Sequence, residues 1–300
     1  MRLVVAVGGN ALLRRGEAPD AAVQQHHVRA AAGALAPLTV DHEVLLVHGN
    51  GPQVGLLAVE SAADTALSSP YPLDVLVAQT QGMIGYWFVQ ALQDAGVRRP
   101  VLAVLTQTLV SGTDPAFRAP TKPVGAGVSE AEAVVGRRHG WTMVRDGDRW
   151  RRVVPSPQPL RVLEQASIAA LVDAGTVVVC GGGGGVPVVE GADGGLRGAE
   201  AVVDKDLTAA LLAIALGADR LVLLTDVVGV LDGFGTPHAS LRPVLRASEV
   251  DALALAAGSM GPKVEACRRF VVATGRTAVI GALDDAAAVV AGNAGTTVTA

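Results

Sequence analysis

The chain has few aromatic residues and no long apolar run. Aromatic side chains make up 3% of its 300 residues, although half of the residues are apolar. The core must therefore be built from Val, Leu, Ile and Ala, which suits parallel strands covered by Ala-rich helices. No apolar run approaches the roughly 18 residues of a membrane span, and Gly8, Gly9 and Asn10 interrupt the first one. We therefore expect a soluble cytoplasmic protein without a membrane partner.

Cysteine and clustered basic residues are also scarce. Cys180 and Cys267 lie in apolar sequence, which predicts buried thiols in a reducing compartment and not a disulfide framework. The net charge is −4 and no basic run exceeds two residues, which argues against a nucleic-acid-binding stripe or a polybasic membrane patch. The motifs of P-loop NTPases, zinc proteases and serine hydrolases are missing as well.

Short apolar runs alternate along the chain with Ala- and Leu-rich helical stretches. This alternation predicts right-handed crossovers and a mainly parallel sheet, hence an α/β fold. The predicted strands cover residues 2–7, 43–48, 101–110, 176–180, 220–225 and 277–280. The predicted helices cover residues 20–36, 73–96, 204–216 and 262–273.

Residues 112–159 interrupt this alternation. They contain two of the three tryptophans and many charged residues. The stretch WTMVRDGDRWRRVVP predicts a hairpin that turns at Asp146-Gly147. Because long insertions in compact domains are usually functional, we interpret the segment as a lid, with a decorated surface loop as the alternative. Residues 1–300 then form one domain with an inserted subdomain at about 112–157.

Three predicted strands end in glycine-rich turns. In an open parallel sheet, ligands bind beyond the carboxyl ends of the strands, and glycine there lets backbone N–H groups approach an anion closely. Three such turns favour an anion site over simple corners. The third turn does not lead into a helix, which excludes a dinucleotide-binding turn. The turns are Gly8-Gly9-Asn10, Gly49-Asn50-Gly51 and the run of five glycines from Gly181 to Gly185.

Lysine is the rarest charged residue, since only three of the 24 basic residues are lysine. Lys205 and Lys263 stand at predicted helix starts, where a lysine opposes the dipole of its own helix, and Lys122 lies in the predicted subdomain. Helix N-termini attract anions, and a compact ammonium suits a migrating phosphoryl group. Three solvated lysines retained by drift are the alternative. Asp204 is either a helix N-cap or the residue that orients the lysines.

Eight motifs resemble those of carbamate kinases, in the same order along the chain. They are VVAVGGNAL, HGNGPQVG, QGMIGYW, PTKPVG, WRRVVPSP, CGGGGGVPVV, AVVDKDLTA and GSMGPKVEA. The resemblance implies the amino-acid kinase fold, a three-layer αβα sandwich around a mainly parallel sheet with a small protruding subdomain. It also implies a homodimer that transfers a phosphoryl group reversibly between ATP and carbamate with Mg²⁺, commonly in the direction that forms ATP.

The same resemblance implies roles for the residues singled out above. Lys205 and Lys263 would contact the transferred phosphoryl group and the nucleotide phosphates. Lys122 would reach in from the subdomain, and Asp204 would orient the lysines. The residues that would cradle the carbamoyl and phosphoryl oxygens are Gly8, Gly9, Asn10, Gly49, Asn50 and Gly51. The further nucleotide-binding residues would be Gly181, Gly182, Gly183, Thr225, Asp226 and Val230. The resemblance implies no particular metal ligand.

Two positions depart from the pattern of the superfamily. Ala6 stands where many amino-acid kinases have a lysine, so Lys122 would supply that charge. Thr236 replaces another lysine, so we expect no nucleotide contact there. The alternatives are a kinase for acetylglutamate, aspartate, glutamate or UMP, and a nucleotide sensor without turnover. Arginine breakdown, purine-derived substrates and carbamoyl phosphate synthesis all stay open as the pathway served, and so does allosteric control.

Overall fold

The computed structural model of the protein describes residues 1–14, 16–253 and 260–300. The α-helices in these ranges are α1 (Ala21–Leu35), α2 (Leu38–Asp41), α3 (Gly51–Ala63), α4 (Leu73–Asp94), α5 (Glu130–Arg138), α6 (Gln165–Asp173), α7 (Lys205–Ala215), α8 (Met260–Thr274) and α9 (Ala286–Ala291). The strands are β1 (Arg2–Val7), β2 (Glu43–His48), β3 (Val101–Ala103), β4 (Gln107–Val110), β5 (Lys122–Val128), β6 (Thr142–Asp146), β7 (Arg149–Val154), β8 (Pro159–Val162), β9 (Val177–Cys180), β10 (Val186–Glu190), β11 (Leu196–Gly198), β12 (Arg220–Thr225), β13 (Leu231–Asp232), β14 (Ser240–Leu241), β15 (Val244–Arg246), β16 (Ala278–Ala282) and β17 (Thr296–Thr299).

An eight-stranded sheet forms the centre of the molecule. Its strand order is β15-β17-β16-β12-β1-β2-β9-β3, and every neighbouring pair is parallel except β16 and β17. The strands β1, β2 and β12 are apolar along almost their whole length, because helices cover both faces of the sheet.

The two faces of this sheet carry separate apolar cores. Val4 and Ala6 of β1 pack with α6, α7 and α8, whereas Leu3, Val5 and Val7 pack with α1, α4 and α9. Successive side chains of a strand point to opposite faces, so one apolar strand supplies both cores. The three-layer αβα architecture that the resemblance implies is confirmed.

The helix α4 has 22 residues and packs against β3, β9 and β10. It buries the polar side chains of Thr80 and Gln81 together with those of Ile84 and Phe88. Within the described ranges, no helix is both long enough and apolar enough to cross a membrane.

The sequence predicts one strand over residues 101–110, and this is wrong. The structure has two strands there: β3 joins the edge of the central sheet, and β4 belongs to a second sheet with the order β11-β10-β4-β8. The chain leaves the first sheet at Thr106, whose backbone N–H and hydroxyl both donate to Oε1 of Gln81, at 3.1 and 3.0 Å. A buried side chain thus replaces the hydrogen bonds of the ladder at the break.

The C-terminal strand β17 was absent from the predicted series, which ends at residue 280. Its sequence, TTVT, is short and has a single apolar residue, and it pairs antiparallel with β16. The other predicted strands and the four predicted helices agree with the structure to within two residues at each end. Their apolar pattern is therefore a sufficient signal, whereas that of β17 is not.

Residues 112–157 contain a sheet of their own. The strands β5, β7 and β6 pair antiparallel in that order, and α5 packs against β6 and β7. The predicted hairpin is present, and its turn lies at Gly147-Asp148, one residue further along than Asp146-Gly147. That this unit moves as a lid stays a prediction.

The subdomain meets the rest of the chain through backbone, through charged side chains and through Val124 and Val154, which pack with Val54 of α3. Gly55 of α3 lies so close to Gly125 of β5 that a Cβ on Gly55 would overlap the backbone of Gly125. Arg152 of β7 stacks 4.2 Å above the ring of Trp141 and reaches Glu200 at 3.4 Å. These contacts hold β5 close to the ends of the central strands.

Candidate active site

The three glycine-rich turns meet at one edge of the central sheet. They follow β1, β2 and β9, and the pairing of β2 with both other strands brings the turns together. A Cβ on Gly49 would lie 2.5 Å from the backbone nitrogen of Gly9 and 2.7 Å from its Cα. Only glycine at position 49 therefore lets the first two turns make contact through their backbones.

The third turn packs on the second one. Gly183 has a left-handed φ of +62° and lies directly against the side-chain amide of Asn50, with no room for a Cβ. Nδ2 of Asn50 donates to the hydroxyl of Thr80 on α4 at 2.8 Å. The side chain of Asn50 thus supports both turns from beneath.

A cavity of about 250 Å³ opens above these turns. It collects most of the residues that the sequence singles out. The predicted residues that line it are Gly8, Gly9, Gly49, Asn50, Gly51, Lys122, Gly183, Asp204, Lys205, Thr225, Asp226 and Lys263.

Four predicted residues are not brought to this cavity wall as far as the structure describes them. Gly181 and Gly182 are buried at the base of the third turn, and Val230 is 1% exposed, with its N–H donating to Thr296. The side chain of Asn10 lies outside the described part of the structure. Their assigned roles stay predictions.

Each of the three lysines donates a hydrogen bond to a carboxylate. Lys122 Nζ lies 2.8 Å from Oδ2 of Asp204. Lys205 Nζ lies 2.8 Å from Oδ1 of Asp206, and Lys263 Nζ lies 3.2 Å from Oδ2 of the same residue. One buried carboxylate therefore joins the ammonium groups that stand at the starts of α7 and α8.

Asp204 makes both kinds of contact that the sequence suggests for it, a helix cap and a hydrogen bond with a lysine. Its Oδ1 accepts hydrogen bonds from the backbone N–H groups of Asp206 and Leu207, at 2.9 and 3.4 Å, and so caps α7. Its Oδ2 accepts from Lys122. The cap and the contact with a lysine are made by different oxygens of one carboxylate.

Burial and neighbouring charges shift the pKa values of this cluster in opposite directions, and the balance differs from residue to residue. Burial would raise the pKa of Asp204, but the charges of Lys122, Lys205 and Lys263 hold it well below its usual range. Burial lowers the pKa of Lys205 despite its contact with Asp206. Burial also acts to lower the pKa of Lys263, but the nearby aspartates outweigh it and raise that pKa.

Two polar residues of the cavity wall were not predicted from the sequence. Asp206 is 2% exposed, and its signal was its place next to Lys205 in the first turn of α7. Arg151 reaches the cavity from β7, with its Nε 3.2 Å from Oδ2 of Asp146. Its signal was the WRRVVPSP motif, which carries the resemblance but suggested no role for this residue.

His48 lies beneath the turns and not in the cavity wall. It is 1% exposed, and its Nδ1 donates to the carbonyl of Gly49 at 3.0 Å. Burial lowers the pKa of His48 to about 4, so the ring is neutral at neutral pH. Its ring edge packs against the backbone of Gly182, which leaves no space for a side chain there. These contacts favour a structural role for His48.

The side chains of the described ranges include no group of three or more His, Cys, Asp or Glu residues that could hold a metal ion by themselves. The cavity wall still contains carboxylate donors. Asp226 follows β12, has an exposed side chain and accepts from the hydroxyl of Thr225 at 3.0 Å.

Comparisons with known proteins agree with this arrangement. The model of the amino acid kinase family matches residues 1–282. The carbamate kinase of Rhizobium meliloti is 47% identical over 99% of this chain and 92% of its own length, and that of Escherichia coli is 48% identical over 98% of each. The structure of carbamate kinase from Giardia lamblia bound to AMP-PNP superposes with a TM-score of 0.89 at 38% identity, over 99% of this chain and 98% of the other. The chain belongs to the amino acid kinase family, within the group of the carbamate kinases.

Proposed function

We propose that the protein is a carbamate kinase, a phosphotransferase that moves a phosphoryl group reversibly between ATP and carbamate. The observation that carries the proposal is the convergence of Lys122, Lys205 and Lys263 on a cavity floored by glycine turns. Phosphoryl transfer asks the protein mainly for positioning and for charge stabilisation, and this wall supplies both. The identity of 40–48% with carbamate kinases over nearly the whole chain supports the choice of carbamate.

The chemistry of carbamate explains why the cavity contains cations and backbone N–H groups. Carbamate is already an anionic nucleophile, so its attack on the γ-phosphoryl group requires no strong general base. The obstacle is repulsion between the two anions, which positive groups must offset. The ammonium groups of Lys205 and Lys263 would stabilise the phosphoryl group in transit, while the turns at 8–10 and 49–51 would bind the remaining oxygens.

We propose that ATP and ADP bind beside Thr225 and Asp226, with their phosphates toward Lys263. All three residues line the cavity. A related carbamate kinase binds the nucleotide analogue AMP-PNP. Mg²⁺ usually binds one or two carboxylates together with phosphates and water, and Asp226 supplies a carboxylate of this kind. When bound, Mg²⁺ would neutralise charge on the phosphate oxygens.

We also propose that the subdomain at 112–157 closes over the site. Lys122 and Arg151 both reach the cavity from this unit. The position of the subdomain would therefore decide whether these two positive charges lie at the cavity. Closure would exclude water, which competes with carbamate for the phosphoryl group. Hinges near Gly112 and residues 155–159 would permit such a movement.

We propose further that the protein is a cytoplasmic homodimer that forms ATP in the cell, as part of arginine metabolism. Tyr86 of α4, Leu102 of the edge strand β3 and Leu105 just after that strand are exposed by 45–55% each. Apolar side chains beside an open strand edge suit a surface covered by a second copy. Cys180 and Cys267 are buried free thiols, which agrees with a reducing compartment. Light scattering on the purified protein would give its mass in solution.

The proposed activity is tested most directly by the reverse reaction. Purified protein is mixed with ADP, Mg²⁺ and carbamoyl phosphate, and ATP formation is followed by a coupled assay. Parallel reactions offer ATP with acetylglutamate, aspartate, glutamate or UMP. We expect ATP to form from ADP and carbamoyl phosphate, and no ADP to form from ATP with any of the other acceptors. Turnover of one of the other acceptors would replace the proposal with another kinase, and no turnover with measurable ADP binding would favour a sensor.

A further inference from the structure

The third glycine turn, residues 181–185, is held at both ends by a single buried residue. The hydroxyl of Thr106 accepts a hydrogen bond from the N–H of Gly181 at 2.9 Å, where the turn begins. The carbonyl of Thr106 accepts from the N–H of Val186 at 2.8 Å, just after the turn ends. Thr106 itself is 0% exposed. Its position therefore sets where the turn starts and where it returns to a strand.

Thr106 is in turn fixed by Gln81 of α4. Oε1 of Gln81 accepts from the backbone N–H and the hydroxyl of Thr106, at 3.1 and 3.0 Å, and Nε2 donates to its carbonyl at 3.1 Å. Because the hydroxyl donates to Gln81, its lone pairs are directed at Gly181. Gln81 is 4% exposed, so these hydrogen bonds are shielded from water. One amide group thus uses both its donor and its acceptor on the same threonine.

The residue before Gln81 supports a different turn. The hydroxyl of Thr80 accepts from Nδ2 of Asn50 in the second turn, at 2.8 Å, and donates to the carbonyl of Val77 in its own helix. Adjacent residues of α4 therefore hold the second and the third turns. Because Gly183 packs on the amide of Asn50, this helix sets the spacing of the two turns.

We infer that Gln81 and Thr106 are positioning residues for the transferred phosphoryl group, which act through the third glycine turn. Gly183 is the member of that turn that lines the cavity, and its backbone is placed by the hydrogen bonds at both ends. Buried polar groups are costly unless each of them is hydrogen-bonded. When they are all paired, their directional hydrogen bonds fix the positions of the groups that they join. The inference rests on the proposed phosphoryl transfer and adds two residues to it.

The test compares Thr106→Val with Thr106→Ser. Valine has the shape of threonine but removes the hydroxyl, so the N–H of Gly181 loses its acceptor; serine keeps the hydroxyl. Thr39→Val is a matched control, because Thr39 is also buried and donates to a backbone carbonyl, that of Ala36, in the connection after α1. Unfolding temperature, kcat and the KM for ADP are measured for each variant in the ATP-forming direction.

We expect Thr106→Val to lower kcat by about 10–100-fold, as misplacing a site by a fraction of an ångström does, with little change in the KM for ADP. Thr106→Ser should restore kcat to within about threefold of the unaltered protein. Thr39→Val should lose unfolding temperature without losing kcat. If Thr106→Val loses only stability, as the control does, or if serine fails to restore kcat, Thr106 is structural and the inference is wrong.

A second variant keeps the test decisive if Thr106→Val does not fold. In Gln81→Glu the introduced carboxyl can donate to the carbonyl of Thr106 only while it is protonated. The variant should therefore lose kcat relative to the unaltered protein as the pH rises, and a constant ratio across pH would overturn the inference.

Binding of inorganic phosphate, followed by calorimetry, separates this inference from the proposed activity. If the unaltered protein shows no phosphoryl transfer, the proposed function fails by itself. The positioning role is then judged by whether phosphate binds more weakly to Thr106→Val than to Thr39→Val. Equal phosphate binding by these two variants would count against it.

Discussion

Asp206→Asn is the substitution that most directly tests the charge cluster. The carboxylate of Asp206 is nearly inaccessible to water and lies 2.8 Å from Lys205 Nζ and 3.2 Å from Lys263 Nζ. Asparagine has almost the same shape but no charge. The two ammonium groups would then face each other across a neutral amide that can accept through only one of its atoms.

The structure allows the magnitude to be worked out. Two unit charges about 4 Å apart interact by about 4 kcal/mol at an effective dielectric constant of 20, and Asp206 makes two such contacts. Removing one partner of a buried ion pair typically costs about 3–5 kcal/mol of stability. Because Asp206 provides the largest contribution that raises the pKa of Lys205, its loss lowers that pKa further. Lys205 would then lose its proton as the pH rises.

The assay is ATP formation from ADP and carbamoyl phosphate between pH 6 and 9, together with chemical unfolding. We expect kcat to fall by about 10²–10³ at neutral pH, the range for loss of one charge-stabilising group. Residual activity should decline as the pH rises, since the deprotonated amine offers no charge. Asp193→Asn is the control, because Asp193 pairs with Arg197 on the exposed surface and should leave both measurements unchanged.

A near-normal kcat for Asp206→Asn would refute this reasoning. It would mean that the lysines keep their protons and positions without the carboxylate. A large loss of kcat that is the same at every pH would still agree with a role of Asp206 in positioning the lysines. It would refute the idea that Asp206 keeps Lys205 protonated.

Five further predictions concern the lysines, the glycine turns, the subdomain and His48. Lys205→Arg should lower kcat by about 10²–10³ in a folded protein, since a planar guanidinium does not replace a compact ammonium; near-normal turnover would remove Lys205 from the catalytic residues. Gly9→Val should abolish carbamoyl phosphate binding by calorimetry with little change in unfolding temperature, and unaltered binding would mean that the glycine only turns a corner. Lys122→Ala should lower kcat while leaving ADP affinity largely intact. Hydrogen exchange across residues 112–157 should slow when ADP and a carbamoyl phosphate analogue are both bound; equal exchange would contradict closure. Finally, stability should fall as the pH drops from 6.5 to about 4, because His48 stays neutral when buried but takes up a proton when unfolded, and the loss should be smaller in His48→Asn; an equal loss in both proteins would contradict this.

The sequence was sufficient for the elements that the central sheet buries on both faces. The strands at 2–7, 43–48 and 220–225 are short, uninterrupted apolar runs, a pattern that parallel sheets require and that is visible without any tertiary information. The run at 101–110 looks the same in sequence. It divides because Gln81, about 25 residues earlier, supplies hydrogen bonds at Thr106, and no local pattern contains that contact.

The candidate site shows the same division between local and distant information. The glycine turns and the three lysines could be recognised because their composition is unusual for the chain. The partner of each lysine could not, since the choice between Asp204 and Asp206 depends on how α7, α8 and β5 pack together. Two carboxylates that flank one lysine are equivalent in sequence, and the folded geometry gives Lys122 to one and Lys205 and Lys263 to the other.

Gly55 and Gly125 touch through their backbones. This contact restricts which residues can occupy position 55, where α3 meets the subdomain. A side chain at position 55 would have to displace the backbone of β5, and Lys122 is on that same strand. Alanine, serine and valine at position 55 would therefore move the ammonium outward in increasing steps. Because the subdomain has a sheet of its own, such changes would slow turnover before they caused misfolding.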